Sequence, residues 1–235
     1  MIVVTGGNGF IGSNLVNALC NKGLKVIVCD YRKVFNKEYI SKPGNIKFIE
    51  PKNLFEYISK KEISAIFHLG AISSTTSSDG NKIWMSNIYY SNYLWKCCVE
   101  KNIRIIYASS AATYGNGEYG FEDNLSLENL KSFRPLNIYG WSKKQVDLRN
   151  FISAKLYNYK PPQWVGLKFF NVYGPNEAHK NEMSSVVWKT FQQIKNRQVT
   201  NLFKSHKREY KDGEQRRDFV YINDCIKVMI WLLHN

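Results

Sequence analysis

Tyr139 and Lys143 stand four residues apart in YGWSK, a spacing that places both on one face of a helix. A phenol titrating near ~10 is a poor base at neutral pH, but an adjacent cation favours the phenolate. Such a tyrosine can take the proton of an alcohol while the alcohol carbon is oxidised. A lone YxxxK is common on helix surfaces, so its weight comes from its company. Ser110 closes the run IIYASS, at a strand end, where its hydroxyl can hold the reacting oxygen beside the tyrosine. Upstream, TGGNGFIG runs from Thr5 to Gly12. Gly6, Gly9 and Gly12 keep the GxxGxxG spacing, a variant of the dinucleotide fingerprint: glycines for a tight turn, backbone close to a pyrophosphate, helix N-terminus beneath it. Asp30, at the end of the second apolar run, can accept hydrogen bonds from an adenosine ribose and so favours NAD. Arg32 and Lys33 follow at once and can hold a 2′-phosphate. The balance tips slightly to NADP, with NAD the alternative.

These residues need elements to carry them. Short apolar runs at 2–5, 25–30, 65–69, 103–109 and 164–170 read as strands. Amphipathic segments at 10–22, 54–60, 81–101, 139–157 and 183–196 read as helices, and 219–235 begins as strand and continues as helix. Alternation with continuous Val/Ile/Phe runs implies an α/β fold, a doubly wound parallel sheet of Rossmann type covered on both faces. Ligands then bind at the carboxyl edge of the strands, where the polar stretches 115–136, 175–182 and 203–215 also fall. The expected division is 1–174 as the dinucleotide-binding domain and 175–235 as a small, partial substrate lobe whose chain returns towards the sheet.

Composition narrows the class. The chain has 235 residues, 44% of them hydrophobic, enough for one such domain and a small lobe. No run of 18 apolar residues suggests a membrane span, and no leader pattern precedes the first strand, so a cytoplasmic location is expected and no membrane partner. Five cysteines and four histidines show no metal-ligand spacing, and the thiols read as buried and reduced. The net charge of +14 is scattered. Its densest stretch, 204–217, is interrupted by Glu209, Asp212 and Glu214 and reads as a solvated loop. Ligands carrying several phosphates account for part of the excess without invoking nucleic acid.

TGGNGFIG, YASSAATYG, YGWSK and FFNVYGP together resemble the extended short-chain dehydrogenase/reductases that epimerise or dehydrate nucleotide sugars. FHLGAISSTTSSDG, GPNEAHKNEMSSVV, LFKSH and QRRDFVYINDC are similar, more narrowly, to the ADP-glycero-manno-heptose 6-epimerase family. The resemblance runs from Met1 to Asn235. It implies an isomerase that oxidises C6 of an ADP-heptose to a ketone and reduces it from the other face, with a catalytic NADP or NAD and a homo-oligomeric assembly. Tyr139 and Lys180 are implied as acid/base groups on opposite sides of the sugar, with Lys143 on the cofactor ribose and Ser110 on the reacting oxygen. Phe10, Ile11, Asp30, Tyr31 and Arg32 would line the cofactor site, joined by Leu69, Gly70, Ala71, Ile72, Ser73, Asn87 and Val172. Asn171, Phe203, Ser205 and Arg217 would contact the ADP-heptose. Glu182 and Lys189 depart from residues found in some members, and no role is carried over to them. Such families continue past the position of Asn235, which implies a chain truncated at the C-terminus. Two other readings stand: a different nucleotide-sugar epimerase or dehydratase, the latter disfavoured by Ala111 and Ala112 beside Ser110, and a cofactor-binding protein without activity.

Overall fold

A computed structural model of the chain describes residues 1–31, 39–40, 45–76, 78–123, 126–205 and 208–235, without the side chains of 181 and 182. Six strands, β1 (Ile2–Thr5), β2 (Val26–Cys29), β3 (Ile46–Ile49), β4 (Ala65–His68), β5 (Arg104–Ser110) and β6 (Trp164–Phe169), form one sheet. Their order is β3-β2-β1-β4-β5-β6 and every pairing is parallel. β1, β2 and β4 are buried at every position, which is why their sequences are unbroken apolar runs and not alternating ones.

Successive strand residues point to opposite faces, and the two faces have separate cores. Val4, Phe67 and Ile106 pack with Leu15, Val16 and Leu19 of α1 (Phe10–Asn21) and with Ile226, Met229 and Leu233 of α8 (Ile222–His234). Val3, Ile27, Ile66 and Ile105 pack against α2 (Leu54–Lys60), α4 (Tyr90–Glu100) and Ala154 of α6 (Ile138–Lys155). The chain winds one way from β1 to β3 and the other way from β4 onward. Ligands of such sheets lie at this reversal, outside the carboxyl ends of β1 and β4.

Beyond β6, β7 (Asn171–Tyr173) pairs in parallel with β8 (Phe219–Tyr221) as a second, two-stranded sheet. Arg104 Nη1 donates to Leu233 O at 2.9 Å and Gln163 Nε2 to Leu232 O at 3.1 Å, fixing the end of α8 to the main sheet.

Several elements differ from the sequence pattern. The helix expected at 81–101 is α3 (Gly80–Ile83), a π-helical turn at Trp84–Tyr89 and then α4. Such widened turns cluster at functional sites, and this one carries Asn87, 1% exposed, into the interior. The helix expected at 183–196 is a 3-10 turn at Ala178–Met183 followed by α7 (Val186–Lys195). Ser185 caps α7 by accepting from Trp188 N at 3.1 Å, which fixes its start. The polar stretch 115–136 contains α5 (Leu127–Ser132), capped by Ser126, and β3 and β7 carry too few residues to show a period. Among the described residues, no helix is long and apolar enough to cross a membrane and no group of side chains could hold a metal ion.

Candidate functional site

The carboxyl ends of β1, β4 and β5 open into a cleft of about 940 Å³. Its floor is the turn after β1. Gly6 has φ +63°, and a Cβ there would lie 2.7 Å from the Gly70 backbone; at Gly12 it would lie 2.1 Å from Gly6 O. Only glycine lets the β1 turn, the β4 loop and the first turn of α1 approach this closely. At Gly9 a Cβ would meet, among the described residues, only Gly6 O, at 3.3 Å, and the residue lines the cleft. Gly9 caps α1 without a side-chain bond, and no acidic residue occupies the first turn. The helix therefore offers N–H groups and its positive end to an anion. Asp30 accepts from Asn8 N at 3.0 Å and Tyr31 N at 2.8 Å. Burial raises its pKa against the pull of those two bonds. A glycine cradle beneath a helix N-terminus, with a fixed carboxylate at its rim, fits a nicotinamide dinucleotide.

The reacting groups enter from β5 and α6. Asn137 caps α6, its Oδ1 accepting from Gly140 N at 2.8 Å, so Tyr139 falls in the first turn. A Cβ at Gly140 would lie 2.5 Å from Ala112 O. This backbone approach brings α6 against the turn that follows Ser110, and the Ser110 and Tyr139 side chains hydrogen-bond. Burial holds the Tyr139 phenol above its usual range; the Ser110 bond opposes this, and the charge of Asp147 adds to it. Lys143, 6% exposed, donates to Ala108 O at 2.6 Å. Burial pulls it down to about 8, with the Asp147 carboxylate acting in the opposite direction.

Lys180 reaches the cleft from the 3-10 turn, its Nζ 5.3 Å from the Phe10 ring centroid. Burial lowers its pKa and Glu177 opposes the shift. The turn is held by Glu177, whose buried carboxylate accepts from Gly174 N at 3.2 Å, Ser185 Oγ at 2.9 Å and Ser185 N at 3.0 Å.

Behind the cleft runs a continuous polar chain. Thr5 Oγ1 accepts from Gly70 N at 3.1 Å and donates to His68 Nδ1 at 2.7 Å, because Ser91 spends its own proton on Asn87 O and so takes the imidazole's proton at Nε2. His68 Nε2 then donates to Ser91 Oγ at 2.8 Å, which donates to Asn87 O at 2.5 Å. The Asn87 amide accepts from Ile72 N at 2.8 Å and donates to Ile72 O and Ser142 Oγ, each at 3.0 Å. Ser142 Oγ donates to Tyr139 O at 2.7 Å. Burial, with the Lys143 charge adding to it, pulls His68 down to about 3, so the chain works through a neutral imidazole.

Most residues singled out in the sequence meet here. Gly6, Gly9, Phe10, Ile11, Gly12, Asp30 and Tyr31 line the cleft with Leu69, Gly70, Ala71, Ile72 and Ser73. Ser110, Tyr139, Lys143, Val172 and Lys180 complete it. Asn87 does not line it: both ends of its amide are spent on Ile72 and Ser142, so it braces the β4 loop from behind. Arg32 and Lys33 lie outside the described residues. The remaining four stand apart from the cleft. Asn171 Nδ2 donates to Asp218 O at 3.1 Å, Phe203 is 66% exposed, Ser205 N donates to Asp212 Oδ1 at 2.7 Å, and Arg217 donates to Arg216 O at 2.8 Å.

Sequence reasoning missed Tyr39, Tyr90, His179 and Met183, which also line the cleft. It missed Asp147 too, although one more step of four from Lys143 along α6 reaches it.

The NAD dependent epimerase/dehydratase family profile matches residues 2–235. An ADP-L-glycero-D-manno-heptose-6-epimerase of Fusobacterium nucleatum is 47% identical over 241 residues, covering all of this chain and 71% of that protein. The crystal structure of the Helicobacter pylori ADP-L-glycero-D-manno-heptose-6-epimerase superposes with a TM-score of 0.80 at 30% identity, over 99% of this chain and 73% of that one. The UDP-N-acetylglucosamine 4-epimerase of Methanobrevibacter ruminantium, in complex with UDP-N-acetylmuramic acid, gives a TM-score of 0.83 at 27% identity, over 100% and 73%. With its glycine turn, its strand-end serine and its Tyr–Lys pair in one cleft, the chain belongs to the NAD dependent epimerase/dehydratase family.

Proposed function

We propose that the chain interconverts the C6 epimers of an ADP-linked glycero-manno-heptose. The reading is carried by the meeting of Ser110, Tyr139, Lys143 and Lys180 above a glycine cradle, in a chain 47% identical to a 6-epimerase of that sugar. Gly6, Gly9 and Gly12 with the N-terminus of α1 hold the pyrophosphate of the cofactor, Asp30 its adenosine ribose and Lys143 its nicotinamide ribose. When bound, the cofactor supplies a reversible acceptor for the hydrogen on the alcohol carbon, so the cycle has no net redox. Burial keeps Tyr139 a phenol; a cation bound beside it favours the phenolate. Tyr139 Oη takes the alcohol proton as the carbon becomes a ketone, and Ser110 Oγ holds that oxygen. Lys180, from the loop after β7, is the second acid/base group, serving the other face. Asn171, just before the lobe that begins near residue 175, and Phe203, Ser205 and Arg217 within it are assigned to the ADP-heptose.

NADP is the finer reading of the cofactor, resting on Arg32 and Lys33. NAD is the second reading, favoured by the Asp30 carboxylate at the rim of the cleft. The proposal also places the protein in the cytoplasm as a homo-oligomer, which light scattering tests. The deciding experiment is a thermal-shift titration with NAD and NADP, followed by turnover of one ADP-heptose epimer monitored by NMR. A dinucleotide-dependent rise in Tm and a product altered only at C6 support the proposal. A 4-keto-6-deoxy product sinks it, and the absence of any dinucleotide shift removes its foundation.

A further inference from the structure

Asp147 lies one helical turn beyond Lys143 on α6, so Tyr139, Lys143 and Asp147 form one column, of which Lys143 and Asp147 are buried. Its Oδ2 accepts from Ser109 Oγ at 2.6 Å and from Lys168 Nζ at 2.7 Å. Ser109 and Lys168 are register partners on β5 and β6, so a single carboxylate clamps both strands to the helix. Lys168 also donates to Thr113 Oγ1 at 2.7 Å, and its Nζ sits 5.0 Å and 5.5 Å from the Tyr114 and Phe133 ring centroids. The carboxylate thus ties the strand that ends in Ser110 to the helix bearing Tyr139 and Lys143, and through Lys168 it is linked to the turn after Ser110. It is 5% exposed and contributes nothing to the cleft surface.

We propose that Asp147 is the positioning residue of the Tyr139–Lys143 pair: it locks α6 to β5 and β6 through Ser109 and Lys168 and sets a carboxylate one helical turn from Lys143.

The charged and titratable groups around this column are few. Lys168 on β6 and Lys143 on α6 carry the positive charge, and Asp147 carries the negative charge among the described residues at their contact. Tyr107 on β5 is held protonated, by burial first and by Asp147 second, and His68 on β4 is neutral. Burial acts against a charged Lys143, and Asp147 acts for it. The same carboxylate disfavours the Tyr139 phenolate, so removing its charge moves both groups to lower pH.

The inference rests on the functional reading above, but its test does not require a bound cofactor. Lysine side-chain NMR of the 235-residue chain, with Lys143 assigned by the resonance lost in K143R, reads its midpoint directly. The wild-type midpoint is expected near 8, falling by about one pH unit or more in D147N and returning close to wild type in D147E. D147N leaves Lys168 buried without its partner, so the D147N/K168M double variant repeats the measurement with both charges removed. K168M alone, which takes away the competing cation, moves the Lys143 midpoint upward. An unchanged Lys143 midpoint in D147N relative to wild type, or in the double variant relative to K168M, overturns the inference and reduces Asp147 to a structural clamp. NAD affinity measured across the same pH range separates the two ideas. A wild-type chain that binds no dinucleotide condemns the functional reading, whereas binding whose pH dependence ignores D147N condemns the role of Asp147.

Discussion

Tyr139 is held as a phenol by the protein around it, so its reactivity must be completed by what binds in the cleft. Y139F is expected to leave folding and dinucleotide affinity intact and to lower kcat by about 10²- to 10⁴-fold, which paired thermal-shift and turnover measurements would show. At this scale the sequence was informative wherever the partners share a helix. Tyr139 and Lys143 are readable from their spacing, and the same spacing reaches Asp147. Lys168 was not readable, because it comes to Asp147 only through the pairing of β5 with β6. Asn87 is expected from the sequence at the cofactor site; that it also braces Ile72 and Ser142 depends on a π-helical turn that a six-residue stretch does not disclose.

Between elements, backbone proximity decides geometry. Gly140 lets α6 lie against the turn Ala111–Tyr114, and its absent Cβ would meet Ala112 O at 2.5 Å. G140A therefore pushes Tyr139 away from Ser110. A stability loss of ~1–3 kcal/mol is expected, with kcat falling more than dinucleotide affinity does. The β4–α4 contact is tuned differently, through neutral His68. Its folded pKa, about 3, lies below its ordinary 6.5. The stability it contributes is therefore complete above pH 6.5 and is lost as the pH falls towards 3. The slope is about 1.4 kcal/mol per pH unit, because the unfolded chain binds the proton that the fold refuses. H68Q, which has nothing to titrate, should shrink the difference in urea stability between pH 7 and pH 4; an unchanged difference would show that other groups govern acid unfolding. The strands flanking this region were legible as continuous apolar runs. β3 and β7 were not: one is a four-residue edge strand and the other has three residues, too short for any period to declare itself.

Over the whole molecule, α1 and α8 share one core although about 200 residues separate them along the chain. Met229 is fully buried in that core, and M229A should cost roughly 2–5 kcal/mol, read as a lowered Tm in a single transition. A separate early transition would mean instead that α8 unfolds on its own. The doubly wound class and the position of the cleft followed from the order of strands and helices. The docking of α8 on α1 did not, since an amphipathic helix does not name the face it will meet. That docking has a consequence for biosynthesis. Val172, which lines the cleft, sits in β7, whose strand partner among the described residues is β8, 48 residues further on at Val220. A ribosome delivering the chain from its N-terminus releases the glycine turn well before the strand that pairs with this wall of the cleft. Nascent chains arrested before β8 should hold the main sheet yet retain dinucleotide weakly, so ligand capture becomes a late event in the life of each molecule.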